Sequence, residues 1–114
     1  MRTFSDGCIA YFDIASKTLK ASVSSGGSSS IETVAANVNN IVTPSAAARR
    51  GDFRVAYADT DAIKLASRSP SGVWTVEAVD AVSGGTPSLA YDNSGTANIA
   101  YAAGGQLKYA RRSE

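Results

Sequence analysis

A short pattern occurs three times in this chain at almost constant spacing. Each copy is a large aliphatic residue, an alanine and a tyrosine, at Ile9–Tyr11, Val55–Tyr57 and Ile99–Tyr101, so that the tyrosines are 46 and 44 positions apart. Repeats of this length, built from short strand-like segments, are typical of architectures in which small sheets stack against one another. The same spacing holds for three lysines, each preceded by an aliphatic residue: Lys20, Lys64 and Lys108.

The charge balance argues against two classes of partner. The 114 residues include 11 Lys and Arg and 10 Asp and Glu, a formal net charge of +1. Nucleic acid and anionic membrane surfaces are bound through an excess of basic residues. No apolar segment approaches the roughly 20 residues that cross a bilayer. We therefore expect neither a nucleic-acid partner nor a membrane partner.

Two residue types that carry much of protein chemistry are scarce. Cys8 is the one cysteine, and there is no histidine. A single cysteine forms no intrachain disulfide and no cysteine-based metal site, and without histidine no Ser-His-Asp or Cys-His group can form within the chain. Cys8 itself lies in a strand-like segment, where a small buried apolar role is usual. We expect no metal, no cofactor and no catalytic residue.

The middle of the chain shows the repeat in its most complete form. Turn sequences such as Ser69–Gly72 separate short segments of alternating side-chain type, the pattern of strands. No segment has the 3.6-residue periodicity of a helix. The predicted fold class is therefore all-β, with four strands in this unit, at about 44–49, 53–58, 63–67 and 73–79.

The flanking units are incomplete in complementary ways. The first begins near its second strand, at Cys8, and the last stops after its third strand, near Ala110. We interpret the chain as one domain, 1–114, with repeat units at about 1–43, 44–86 and 87–114.

The second strand of each unit is apolar on both faces. Its large residues point one way, and the residue between them is always an alanine: Ala10, Ala56 or Ala100. A sheet with one face in water would carry polar residues there. The pattern therefore predicts sheets that lie between neighbouring sheets, with bulky groups of one over small groups of the next.

The residues also carry a family resemblance. The stretch formed by 74–77, 87–92, 99–101 and 107–110 resembles a repeat of bacterial β-propeller proteins, which runs roughly W-x-V-E, then P-S-L-A-x-D-x-x-G-x-x-x-I-A-Y-Y, then L-x-Y-A. The match is close over 74–110, moderate over 44–80 and loose over 8–36. It is specific for a propeller blade and weak for any activity. Two departures are Ser29 in place of the tryptophan and Arg49–Arg50 in place of the acidic turn.

This resemblance implies a ring that one chain does not complete. Propellers have about 4 to 8 blades of four strands, and this chain encodes about 2.5 blades. A lone copy would leave strand edges and apolar sheet faces in water. Closed cyclic association is the usual remedy. We expect a homodimer that forms one propeller, with a trimer, or an open fragment of a longer protein, as alternatives.

The resemblance also suggests lectin-like carbohydrate recognition without catalysis. Propeller lectins built from short oligomerising chains bind sugars in clefts between blades, through an aromatic ring and Arg or Glu side chains. An aromatic platform with a few convergent polar groups suits such a site. The residues that could supply it are Trp74, Tyr57, Tyr101, Arg68 and Glu77.

Each of these residues also has a purely structural interpretation. Tyr57 and Tyr101 lie on the bulky face of a second strand, where core packing is common. Trp74 could pack against a neighbouring blade. Glu77 recurs as Glu32, 45 positions earlier, as a structural outer-strand residue would. The three repeated lysines could pair with carboxylates of neighbouring strands or surround a central channel.

Two alternative functions are also consistent with the resemblance. Several glycosidases are propellers, and turns of this chain carry carboxylates at Asp13, Asp59, Asp61 and Asp92. Glycoside hydrolysis needs a defined carboxylate pair, and the S-x-D-x-G-x-x-W box of sialidase propellers is absent. The other alternative is a structural or protein-interaction propeller, or a self-assembling fragment, without a small ligand.

Overall fold

Ten β-strands form the part of the chain that the computed structural model describes, which is residues 7–25, 28–36, 38, 44–49, 52–59, 62–69, 71–81, 87–92, 94–103 and 105–112. No helix occurs within these ranges, so the predicted all-β class is confirmed. The strands are β1 (Gly7–Asp13), β2 (Thr18–Ser25), β3 (Ser28–Ala35), β4 (Ser45–Arg49), β5 (Asp52–Ala58), β6 (Ile63–Arg68), β7 (Trp74–Asp80), β8 (Ser88–Tyr91), β9 (Ala97–Ala103) and β10 (Gln106–Arg112).

The strands pair into three antiparallel sheets in chain order. The first sheet is β1-β2-β3, the second is β4-β5-β6-β7, and the third is β8-β9-β10. Each sheet lies within one of the repeat units inferred from the sequence. The second sheet has all four strands, the first lacks a counterpart of β4, and the third lacks a counterpart of β7 among the described residues.

Neighbouring sheets lie face against face. β1 packs on β4, β3 on β7, and β4 on β8. We call the side of a sheet that is turned toward the preceding sheet in the chain its leading face, and the opposite side its trailing face. In the second sheet, Val55 and Tyr57 lie on the leading face, and Ala56 and Ala58 lie on the trailing face.

Two apolar cores lie between the sheets. One side of the first core is filled by large residues of β5, and one side of the second core by large residues of β9. The other side of each core is filled by small or aliphatic residues of the preceding sheet. This is the arrangement that the alternation of large residues and alanine predicts. The first core contains Leu19, Ala21, Val23, Val34, Val38, Phe53, Val55, Tyr57 and Ala66. The second contains Ala56, Ala58, Ile63, Leu65, Leu89, Ala97, Ile99 and Tyr101.

The irregularities in strand pairing also follow the repeat. The pairing register shifts at Leu19/Lys20 in β2 and at Ile63/Lys64 in β6, which are equivalent positions. Gly72, before β7, has a φ of 92°, a backbone conformation that glycine adopts readily. Arg50, one of the departures from the propeller repeat, and Asp61, one of the turn carboxylates, lie outside the described residues.

Candidate functional site

A polar cluster joins the first and second sheets. The Glu32 carboxylate of β3 accepts hydrogen bonds from Arg68 Nε at 2.7 Å and from Arg68 Nη2 at 2.8 Å. The indole Nε1 of Trp74 donates to the same carboxylate at 2.8 Å. Paired donors from one guanidinium give a strong and directional contact with a carboxylate. These three residues, which we call the Glu32 cluster, therefore fix β3 against β6 and β7.

Strand register explains why these side chains meet. Arg68 and Trp74 are directly opposite on β6 and β7, so they share the leading face of the second sheet. Glu32 is opposite Ala21, a core residue on the trailing face of the first sheet. The Arg68 guanidinium also lies 5.7 Å from the centre of the Phe53 ring, within range of a cation–π contact.

The electrostatics of the cluster favour the charged carboxylate. Hydrogen bonds from Arg68, and then from Trp74, hold the pKa of Glu32 below its usual value. Burial raises the pKa of the nearby Cys8 thiol, and the Glu32 charge adds to that effect. Arg68 and Trp74, two of the predicted ligand-binding residues, thus donate hydrogen bonds to another residue of the same chain.

The two predicted tyrosines are buried in the cores. Tyr57 lies in the first core, and burial raises its pKa to about 12. Tyr101 lies in the second core, and its hydroxyl donates to Asp80 Oδ2 at 2.6 Å. That hydrogen bond is the main reason why the pKa of Tyr101 is raised to about 12. Neither ring is placed in this chain as an open platform for a sugar.

The repeated lysines pair with carboxylates, as one of the two interpretations predicts. Lys20 Nζ lies 3.4 Å from Asp13, and Lys64 Nζ lies 3.0 Å from Asp59, each across its own hairpin. The third unit carries alanine at the position of these aspartates, and Lys108 Nζ lies 3.7 Å from Asp80 of the preceding sheet. Asp80 therefore connects the second sheet to the third.

Glu77, another predicted site residue, lines two cavities. It is on the trailing face of β7, turned toward the third sheet, at the position that Glu32 has in β3. A cavity of about 160 Å³ next to it is also lined by Ala78, Val79, Ile99, Ala110 and Arg111. A second cavity, of about 230 Å³, is lined by Ser67, Thr75, Val76 and Glu77.

The predicted site residues therefore fall into three places. Arg68 and Trp74 lie together in the Glu32 cluster, Tyr57 and Tyr101 lie in separate cores, and Glu77 lies between the second and third sheets. Glu32 is not among the site residues predicted from the sequence. The signal that could have identified it is its recurrence as Glu77, 45 positions later.

The described residues hold neither a candidate metal site nor a helix that could cross a membrane. Among the described residues, no three Cys, Asp or Glu side chains are grouped so as to hold a metal ion. Within the same ranges, no helix has the length and apolar character to cross a membrane. No protein-family model, curated protein or solved structure matches this chain.

Proposed function

We propose that this chain is a non-catalytic module of the β-propeller type that self-associates into a closed ring and serves as a structural scaffold. The observation that carries the proposal is the contrast between the two ends of the sheet stack and its interior. Positions that are buried between sheets are exposed where the stack begins and ends.

The leading face of the first sheet is the first of these ends. Ile9 is 71% exposed, whereas its counterparts Val55 and Ile99 are each 0% exposed. Tyr11 is also exposed, whereas its counterparts are the core residues Tyr57 and Tyr101. Ile31 lies on the same face as Ile9, because both are paired with Ser22 in register. This end therefore presents an apolar patch of Ile9, Tyr11 and Ile31.

The trailing face of the third sheet is the other end. Leu107 is 81% exposed, whereas its counterparts Leu19 and Ile63 are 2% and 0% exposed. Tyr109 lies on the same face and is exposed, whereas its counterpart in the second sheet, Leu65, is buried. Burying one such side chain fully stabilises an association by about 1.5–3 kcal/mol.

These two ends have complementary character. Inside the chain, a trailing face with aliphatic residues always packs on a leading face with a β-branched residue and a tyrosine. The trailing face of one copy can accept the leading face of another in the same way. Such a contact joins different surfaces of two copies, and it forms a ring when the rotation closes. A homodimer is the favoured ring, with a trimer as the alternative.

The carboxyl groups support a non-catalytic role. A glycosidase needs a proton donor with a raised pKa. Among the described residues, hydrogen bonds stabilise the carboxylates of Asp13, Glu32 and Asp92 and hold the pKa of each below its usual value. For Asp92, bonds from Ser94 and from the backbone of Thr96 and Ser94 lower the pKa to about 2.

Solution molar mass measured by light scattering tests the proposal. We expect the wild-type chain to have the mass of a closed oligomer, and Ile9→Asp or Leu107→Asp to have the mass of one chain. Ile14→Asp is the matched control, because Ile14 is 66% exposed in a turn and lies on neither end face. A folded wild-type monomer at high protein concentration would contradict the proposal.

Carbohydrate recognition in the cleft at Glu77 is a second candidate function. It is favoured by the carboxylate beside the two cavities, since a carboxylate accepts hydrogen bonds from sugar hydroxyls. A glycan array with wild-type protein and Glu77→Gln tests it. Capture of a glycan by the wild type and its loss in the variant, with molar mass unchanged, would support this function. An array without any captured glycan would exclude it.

A further inference from the structure

The junction between the first and second sheets includes an outer strand. There, β7 pairs with β6, with Trp74 opposite Arg68 and Val76 opposite Ala66. Trp74 packs against the first core and donates its indole N–H to Glu32. The outer strand thus completes both the sheet and the contact with the preceding sheet.

The junction between the second and third sheets repeats this arrangement without the outer strand. Arg112 and Ala110 of β10 are 44 positions after Arg68 and Ala66 and pair with β9 in the equivalent register. Glu77 takes the position of Glu32. In the part of the chain that the structure describes, no strand lies on the outer edge of β10.

The two cavities beside Glu77 mark the place of that strand. The larger one, of about 230 Å³, is lined by the β7 residue Val76 and by Ser67, Thr75 and Glu77, the last three of which share the trailing face of the second sheet. These three are equivalent to Val23, Ser30 and Glu32, the side of the first sheet on which Trp74 lies. Ala110 borders the smaller cavity, of about 160 Å³, at the position that Val76 faces in the second sheet.

We propose that this groove, formed by the outer edge of β10 and the two cavities, binds an extended peptide of the pattern Trp-x-Val-Glu. The peptide would pair antiparallel with β10, its tryptophan opposite Arg112 and its valine opposite Ala110. Its indole N–H would donate to Glu77. An open strand edge provides main-chain hydrogen bonds, and side-chain pockets provide specificity.

This site is distinct from the end faces that the proposed function uses. Leu107 and Tyr109 point to the trailing face of the third sheet, whereas the groove follows the edge of β10 and opens toward the second sheet. Peptide binding is therefore expected of a single chain and of a closed ring alike, and either proposal can fail without the other.

A fluorescent peptide with the sequence of Gly72–Ala81 tests the inference by anisotropy titration with the full chain. We expect saturable binding, and about tenfold weaker binding when the peptide carries Trp74→Phe, because a hydrogen bond to a charged group is lost. Peptides with Thr75→Pro and with Val76→Pro are controls. Successive N–H groups of a strand point in opposite directions, so only one of these two positions donates its N–H to β10. Proline at that position removes a hydrogen bond to β10, and proline at the other position does not.

The protein variant Glu77→Gln completes the experiment. We expect it to bind the tryptophan peptide several-fold more weakly, because glutamine keeps an acceptor for the indole but loses the negative charge. It should bind the phenylalanine peptide as the wild type does, since the two changes act on one contact. Absence of saturable binding, equal binding of both proline peptides, or an equal effect of Glu77→Gln on both aromatic peptides would overturn the proposal. If circular dichroism shows that the variant is unfolded, the peptide series with the wild-type chain decides.

Discussion

At the scale of single residues, the Glu32 carboxylate connects two sheets through Arg68 and Trp74. Glutamine at position 32 keeps an acceptor for the indole but removes the charge that pairs with the guanidinium. We expect Glu32→Gln to lower the free energy of unfolding at pH 7 by about 1–2 kcal/mol, since the cluster is partly open to water. Urea denaturation measures this cost. Thr33→Val, at the exposed neighbouring position, is the control. If it lowers the free energy of unfolding by as much, the loss comes from disturbing β3 and not from removing the charge of Glu32.

The cost of Glu32→Gln should depend on pH with a definite sign. The pKa of Glu32 in the folded chain lies below its ordinary value of 4.5. A carboxyl with a lowered folded pKa stabilises the fold above its unfolded pKa and loses that contribution as the pH falls through the folded value. The free energies of wild type and variant should therefore differ by a constant amount above about pH 5.5 and converge below pH 4.5. A difference that is unchanged at pH 3 would contradict the charge-based account.

At the scale of the elements, the turn between β1 and β2 contains a strained residue. Lys17 has a φ of 53°, the left-handed region that side chains with a Cβ disfavour, and its carbonyl accepts a hydrogen bond from Val38 N at 3.0 Å. Lys17→Gly keeps that backbone bond and relieves the strain. We expect a net gain of about 0.5–1 kcal/mol after the greater unfolded-state entropy of glycine is subtracted. Urea denaturation measures it, and Ser16→Gly, where φ is not positive, should destabilise instead.

Element positions were predictable from the sequence because the governing interactions are local. Alternation of Val55, Ala56 and Tyr57 fixes a strand that is buried on both faces, and the turn residues fix where strands end. The Glu32 cluster was not predictable in this way, because Glu32 and Arg68 are 36 positions apart and meet only when two sheets stack. The same limit applies to Tyr57 and Tyr101, since an aromatic residue on a strand suits a core and a ligand platform equally well.

At the scale of the whole molecule, the proposed self-association through unlike faces predicts a specific result when variants are mixed. Ile9→Asp spoils the leading face and Leu107→Asp spoils the trailing face, so each variant alone should be monomeric. In a mixture, the trailing face of Ile9→Asp and the leading face of Leu107→Asp are both intact. These two faces can pair, so the mixture should form a 1:1 complex.

Mixing Ile9→Asp with Tyr11→Asp is the control, because both variants lose the leading face and no intact pair remains. Light scattering on the mixtures measures the outcome. Association through a single self-complementary face would reverse the expectation, since a chain with that face spoiled could not be rescued by another variant. A monomeric mixture of Ile9→Asp and Leu107→Asp would therefore refute head-to-tail stacking even if the wild-type chain is oligomeric.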